Sequence, residues 1–340
     1  MKELVVISGK GGTGKTSIVA SLAALAGSVV TADCDVDAAD LHLVLAPTVR
    51  RREAFSGGKK ARIDAGRCTG CGRCAELCRF DAVVVEAPGG FEGLGLDLSA
   101  ACQNCHYCRR SCPARVNSEI LAMAQAAGGG AGPRLAIDPI ACEGCGVCAW
   151  FCPAGAIDFE PSVSGEWFVS DTRHGPMVHA ALGVAQANSG KLVSVVRQEA
   201  RRLAAQRGSA LVLVDGSPGI GCPVIASITG ADLVLIVTEP TLSGRHDLGR
   251  VADVARHFGT PAMVCVNKWD LNADLADAIE RDARRRGLAV AGRVRYDRGV
   301  TGAMLRARAV VEYQTDGCAE DLRRLWANVK AALEGTPADG

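Results

Sequence analysis

With 340 residues, 48% of them hydrophobic, the chain can bury one large core or two moderate ones, which excludes a disordered or minimal-core class. Thirty-eight Lys and Arg nearly balance 37 Asp and Glu, so no global field exists to hold nucleic acid or an anionic membrane. No apolar run approaches the length of a membrane span, and the first predicted strand begins within about three residues of Met1, leaving no room for an export signal, so a soluble, cytoplasmic protein is expected.

The apolar run Leu4-Val5-Val6-Ile7 reads as a parallel strand covered on both faces, and a helix is predicted from about Thr16 to Ala26. Between them lie Gly9, Lys10, Gly11, Gly12, Thr13, Gly14, Lys15, Thr16 and Ser17, a GxxxxGKT phosphate loop. Glycines let backbone N–H groups close around phosphate oxygens, Lys15 supplies a point charge, and the Thr16 hydroxyl can ligate magnesium. A glycine-rich surface turn that merely contains lysine would need neither the strand before it nor the helix after. The second lysine, Lys10, makes the loop resemble the deviant phosphate loop of the MinD, ParA and nitrogenase iron protein superfamily of dimeric ATPases. That resemblance implies ATP/ADP and Mg2+ as ligands and nucleotide-dependent dimerisation, with Lys10 reaching the partner's nucleotide. On the residue alone, Lys10 is equally a solvated loop charge.

Ser28 to Ala32 reads as a second strand, ending in Asp33-Cys34-Asp35-Val36-Asp37 on the ligand side of an open α/β sheet. The resemblance gives Asp35 the task of orienting the attacking water and makes it a magnesium-site residue. A plain helix cap is the structural alternative.

From about Arg50 the polar, glycine-containing RREAFSGGKKAR reads as a linker into a segment dominated by cysteine. Twelve of the 16 cysteines form three C-x2-C-x2-C-x3-C tetrads: Cys68, Cys71, Cys74 and Cys78; Cys102, Cys105, Cys108 and Cys112; Cys142, Cys145, Cys148 and Cys152. Without an export signal such a density argues for metal rather than disulfides, and the spacing is that of [4Fe-4S] ferredoxins, where three thiolates hold one cubane and the fourth reaches another. Zinc suits a single such run better than three. The first and third tetrads sit in copies of one strand, loop, helix, strand repeat. That repeat pairs Cys68, Cys71, Cys74 with Cys152 and Cys142, Cys145, Cys148 with Cys78, whereas adjacency along the chain offers a pairing of the first and second tetrads instead. Arg79 stands where a ferredoxin usually has proline. The middle tetrad reads as an inserted third site. Its Cys102-Gln-Asn-Cys105-His106 also matches a haem-attachment motif, against the missing export signal. AAGGGAGP (Ala126 to Pro133) is predicted to be a spacer. Three clusters are expected, two if the middle tetrad holds no cubane.

The second half returns to α/β texture, with a short strand at Phe168-Val169 and a helix over Asn188 to Ala204. The buried strand Ala210 to Val214 leads to Asp215-Gly216-Ser217-Pro218-Gly219, placing a carboxylate where it can hold magnesium through water. A further strand, Leu233 to Val237, ends in TEPTLSGRHDL. Ala262 to Val266 ends in Asn267-Lys268-Trp269-Asp270, an NKxD signature of GTPases. The superfamily resemblance instead implies that Asn267, with Lys268 beside it, meets adenine. The final helix, Glu320 to Leu333, puts Leu322, Leu325, Trp326, Val329 and Leu333 on one face, which reads as a stripe closing the core and argues against a membrane role. Cys34, Cys222 and Cys265 read as small buried hydrophobes, although the nitrogenase iron protein resemblance aligns Cys222 with a bridging-cluster ligand, and Cys318 stands alone.

GEWFVSDTRHGPMVHA (Gly165 to Ala180) and DGSPGIGCPVIAS (Asp215 to Ser227) resemble the branch of MinD-superfamily ATPases that carries an inserted ferredoxin domain. The fold expected is an α/β parallel-sheet P-loop NTPase over residues 1–60 and 161–340, interrupted at 61–160 by an α+β ferredoxin-like domain with three tetrads. The resemblance implies a nucleotide-switched dimer, a homodimer or a heterodimer with a related ATPase. Lys10, Lys15, Asp35 and Asp215 would serve hydrolysis, coupled to electron transfer or cluster delivery to a redox or metalloprotein partner. The alternative is a positioning ATPase in which the clusters are structural or sensory.

Overall fold

The computed structural model describes residues 1–86, 134–183 and 189–335. The chain divides into two compact units, Met1–Phe55 with Gly165–Gly340, and Ser56–Ser164.

In the larger unit the strands are β1 (Lys2–Ser8), β2 (Val29–Asp33), the first part of β3 (Thr48–Ile63), the last part of β6 (Ile157–Thr172), β7 (Gly175–Leu182), β8 (Leu211–Pro218), β9 (Leu233–Thr238), β10 (Ala262–Asn267) and β11 (Ala289–Val294). They lie in the order β11-β10-β9-β1-β8-β2-β7-β6-β3. The pairs from β11 through to β7 are parallel, and β6 turns back antiparallel to β7. A parallel strand needs cover on both faces, and β1 has it. Val5 and Ile7 join a core built with the helices Ser189–Arg207 (α5), Cys222–Ile228 (α6), Leu242–His257 (α7) and Ala273–Arg285 (α8). Leu4 and Val6 join the opposite core, made with Lys15–Ala26 (α1), Leu41–Leu45 (α2), Gly299–Met304 (α9), Val310–Tyr313 (α10) and Cys318–Glu334 (α11). Leu322, Leu325, Val329 and Leu333 of α11 are buried in that second core, so the apolar stripe of the last helix does close it. Among the described residues no helix is long and apolar enough to cross a membrane.

The smaller unit contains Arg73–Leu77 (α3), β4 (Val83–Glu86), β5 (Arg134–Ile137) and Val147–Trp150 (α4). β4 and β5 pair antiparallel, from Val83 opposite Ile137 to Glu86 opposite Arg134. Cys74, Val83 and Leu135 form its small buried core.

Three expectations change. The stretch read as a linker from Arg50 is the strand β3, and Phe168-Val169 lies in a strand of 16 residues rather than a short one. The polar side chains of β3 misled because their partners are distant in sequence. Arg51 lies over the Trp167 ring at 4.8 Å and Arg52 over Phe168 at 5.2 Å, so arginines here cover aromatics rather than solvate a loop. Cys222 is exposed at the first turn of α6, not buried, while Cys34, Cys265 and Cys318 are fully buried. The middle tetrad and the Ala126 to Pro133 spacer lie outside the described residues.

Candidate functional site

The phosphate loop joins β1 to α1 at the carboxyl edge of the sheet. Gly12 and Gly14 take φ of 79° and 87°, a region open to glycine, and Gly14 leads directly into the first turn of α1. Gly14, having no side chain, leaves that turn without a side-chain cap, and the unpaired N–H groups of a helix's first turn are the kind that receive phosphate. Close packing fixes the loop from outside. A Cβ on Gly9 would meet Asp247 Cβ at 2.4 Å, and one on Gly14 would meet Asn267 Nδ2 at 2.4 Å.

Inside the loop, Lys15 is buried, and its ammonium forms a short contact with Asp215 and lies 3.5 Å from Asp35 Oδ2. Burial works against the Lys15 charge, but Asp215, then Asp35 and Asp33, outweigh it and raise its pKa. Burial pushes the Asp33 carboxyl well up, and Asp215 adds to it, while Lys15 and the Asp35 and Leu41 N–H groups, each donating at 3.2 Å, oppose the rise. Asp35 is also raised, chiefly by burial. Three carboxylates therefore crowd one ammonium. Asp215 Oδ2 is buried with no hydrogen-bond partner among the described residues, as is Thr13 Oγ1, and an uncompensated carboxylate oxygen beside a phosphate loop is the donor chemistry that a divalent cation takes. Thr16 is half-buried at the start of α1 and Ser17 Oγ contacts Met304 Sδ at 3.8 Å.

A second set of charges lines the loop's outer side. Lys10 pairs with Glu239 at 2.6 Å and reaches Ser243 Oγ at 3.1 Å. Lys268 holds a left-handed φ of 56°, donates to the Gly12 carbonyl at 3.1 Å and pairs with the same Glu239 at 3.4 Å. Burial alone would raise the Glu239 carboxyl, yet the two lysines bring it below its ordinary value. Asn267 is buried and its Nδ2 donates to the Thr13 carbonyl at 2.7 Å, so it braces the loop. Asp270, the last residue of the NKxD match, accepts from the Tyr296 N–H at 2.6 Å. Glu239 was missed in the sequence, although it follows β9 at the strand's carboxyl end, the position that singled out Asp35 and Asp215.

In the smaller unit, Cys68, Cys71, Cys74 and Cys152 line one pocket and Cys78, Cys142, Cys145 and Cys148 line another. Each loop turns through paired glycines at positive φ, Gly70 and Gly72 at 68° and 75°, Gly144 and Gly146 at 69° and 77°. Backbone N–H groups point at sulfur in both copies: Ala156 donates to Cys152 Sγ at 3.3 Å and Ala82 to Cys78 Sγ at 3.4 Å. Burial pushes the Cys74 thiol up to about 11 and raises Cys148. Among the described residues no group of three or more His, Cys, Asp or Glu side chains converges so as to hold a metal ion.

Residues 4–310 match the family profile described as the CobQ/CobB/MinD/ParA nucleotide binding domain. The chain is 29% identical over 274 residues to an uncharacterized protein of Methanocaldococcus jannaschii, MJ0578, covering 79% of each, and 22% identical over 278 residues to another, MJ0579, covering 80% of this chain and 83% of that one. Its fold is similar to the septum site-determining protein MinD of Pyrococcus horikoshii complexed with Mg-ADP, with a TM-score of 0.52, 13% identity and 96% and 95% of the two chains covered. It is also similar to the MinC:MinD complex of Aquifex aeolicus, with a TM-score of 0.51, 16% identity and 100% and 99% covered.

Proposed function

The chain belongs to the CobQ/CobB/MinD/ParA family of nucleotide-binding domains, and we propose that it is a Mg2+-dependent, dimerising ATPase that couples nucleotide turnover to iron–sulfur redox chemistry in an inserted ferredoxin-like domain, residues 61–160. The observation that carries the ATPase reading is the buried Lys15–Asp215–Asp35 cluster under a loop with Gly12 and Gly14 at positive φ. ATP is favoured over GTP because the loop, with its second lysine Lys10, resembles the deviant phosphate loop of the MinD and ParA ATPases.

When triphosphate enters the loop, Lys15 leaves Asp215 for the phosphate oxygens, and the loop N–H groups hold the rest of the chain of phosphates. Asp215 and Asp35, freed of the ammonium, and the Thr16 hydroxyl are the groups that would hold magnesium, which when bound offsets charge on the β- and γ-phosphate oxygens. Asp35 orients water for attack on the γ-phosphorus; the bond to the β-phosphate oxygen breaks, leaving ADP and inorganic phosphate. Lys10, parked on Glu239, is free to exchange that partner for the phosphates of a second subunit's nucleotide.

Support for the redox half comes from the two cysteine-lined pockets, each drawing three thiolates from one repeat and the fourth from the other. Cubanes held there supply one-electron chemistry. A related reading, in which the same ATPase positions a complex and its clusters are sensory, draws only on the MinD-like fold. Iron and sulfide analysis after anaerobic reconstitution tests the composition. About twelve irons per chain are expected, with a loss of about four in Cys105→Ser. About eight in both proteins would remove the middle site, and none would remove the redox half altogether.

A further inference from the structure

The two cysteine sets in the smaller unit are related by the internal repeat, and the backbone obeys that relation closely. Cys68 N–H donates to Asp64 O at 3.0 Å and Cys142 N–H to Asp138 O at 3.0 Å. Asp64 N–H donates to Ala156 O at 2.8 Å and Asp138 N–H to Ala82 O at 2.7 Å, so each loop is tied to the turn that follows the other copy's fourth cysteine. Against this symmetry the side chains differ in two places.

The first is Arg67, immediately before Cys68. Its guanidinium donates to Asp64 Oδ2 at 2.8 Å, to the Gly155 carbonyl at 2.7 Å and to Asp158 Oδ1 at 2.7 Å. Gly155 lies in the turn that follows Cys152, so one planar fork staples the Cys68 loop to the turn carrying the fourth thiolate of its own set. The repeat puts Ala141 at the matching position before Cys142, which has no such reach. That loop is held instead by Lys60, bonded to the Pro139 carbonyl, and this contact does not touch the turn after Cys78.

The second difference is in those turns. Gly155, three residues after Cys152, takes a φ of 57° that costs glycine nothing. Its counterpart three residues after Cys78 is Asp81, at φ 49°, a left-handed conformation that an L side chain holds under strain. Pro153 stiffens the first turn, and Arg79 stands in its place in the second.

We infer that the two sites are built unequally: Arg67 is a positioning residue that locks the Cys68, Cys71, Cys74 and Cys152 set, while the Cys142, Cys145, Cys148 and Cys78 set, strained at Asp81 and without a matching staple among the described residues, is the one that gives up its cluster first. This rests on the iron–sulfur reading above. Staple and strain act in the same direction, since both set how far the fourth thiolate can move from the other three.

The test uses the full chain, reconstituted anaerobically, in two backgrounds. Cys71→Ser leaves the second set intact and Cys145→Ser leaves the first, and the middle tetrad is the same in both. Iron released to a ferrous chelator is followed with time. The site surviving in Cys71→Ser should lose iron about fivefold faster than the one surviving in Cys145→Ser. Asp81→Gly in the Cys71→Ser background should slow release toward the other site's rate. Arg67→Ala in the Cys145→Ser background should speed it and broaden the EPR spectrum of the reduced cluster, with Arg67→Lys recovering part of the loss. Equal rates in the two backgrounds, the reverse order, or rates that neither Asp81→Gly nor Arg67→Ala moves would overturn the inference while leaving the iron–sulfur reading standing. A wild-type chain that takes up no iron overturns both.

Discussion

Lys15 is the residue on which the nucleotide site turns, because its ammonium meets both acidic strand ends, Asp215 and Asp35. Replacing it with alanine removes the charge that meets phosphate and leaves Asp215 buried without its counter-ion. ATP hydrolysis by Lys15→Ala should fall by at least about a hundredfold, read as phosphate release under saturating Mg-ATP; turnover near the wild-type rate would remove Lys15 from the mechanism. Lys10 differs in exposure and partner, being paired with Glu239 outside the loop. Lys10→Ala should therefore leave ADP affinity close to wild type and weaken ATP-driven dimerisation, measured by titration calorimetry and by light scattering. Equal losses in both would make Lys10 a local phosphate contact. The loop and the two aspartates were legible in the sequence because glycines, lysine and strand-end acids announce their chemistry by type and spacing. Glu239 and Arg67 were not, since each acts through partners far along the chain and neither sits in a motif of its own.

Among the elements, the strands flanking the phosphate loop were readable from their unbroken apolar runs, whereas β3 was not. Its Arg50-Arg51-Arg52 run looks like linker until Trp167, Phe168 and Glu199 are seen to receive it. Local pattern fails where a strand's partners, rather than its own alternation, decide its conformation. A similar long-range tie gives a pH dependence. Glu312 in α10 meets Arg173, in the β6–β7 turn, at 2.7 Å, with His174 at 3.1 Å. Burial would raise this carboxyl, but Arg173, the Ala309 N–H and His174 together bring it down from 4.5 to about 2. A carboxyl depressed in the folded state lends stability that is complete above its unfolded pKa and is lost as pH falls through the folded one. The midpoint of thermal unfolding should thus drop between pH 4.5 and 2 more steeply in the wild type than in Glu312→Gln. Parallel pH profiles for the two proteins would mean the ion pair contributes nothing.

For the molecule as a whole, the sequence carries two motifs in plain view, a phosphate loop and repeated cysteine tetrads, and among the described residues the loop lies in one compact unit and the first and third tetrads in the other. What the sequence leaves open is whether one governs the other. The crossed cysteine sets were one of two pairings open in the sequence, the repeat offering this one and adjacency along the chain the other, and a dependence of redox chemistry on nucleotide is a property of two states that leaves no mark on a single pattern of residues. The most direct measurement is an anaerobic redox titration of the reconstituted chain, followed by EPR, without nucleotide, with Mg-ADP and with Mg-ATP. Coupling predicts a midpoint shift of about 60 mV or more on going from ADP to ATP, a tenfold change in a one-electron equilibrium, and its loss in Lys15→Ala. Superimposed titrations in a protein that binds iron and hydrolyses ATP would contradict the account.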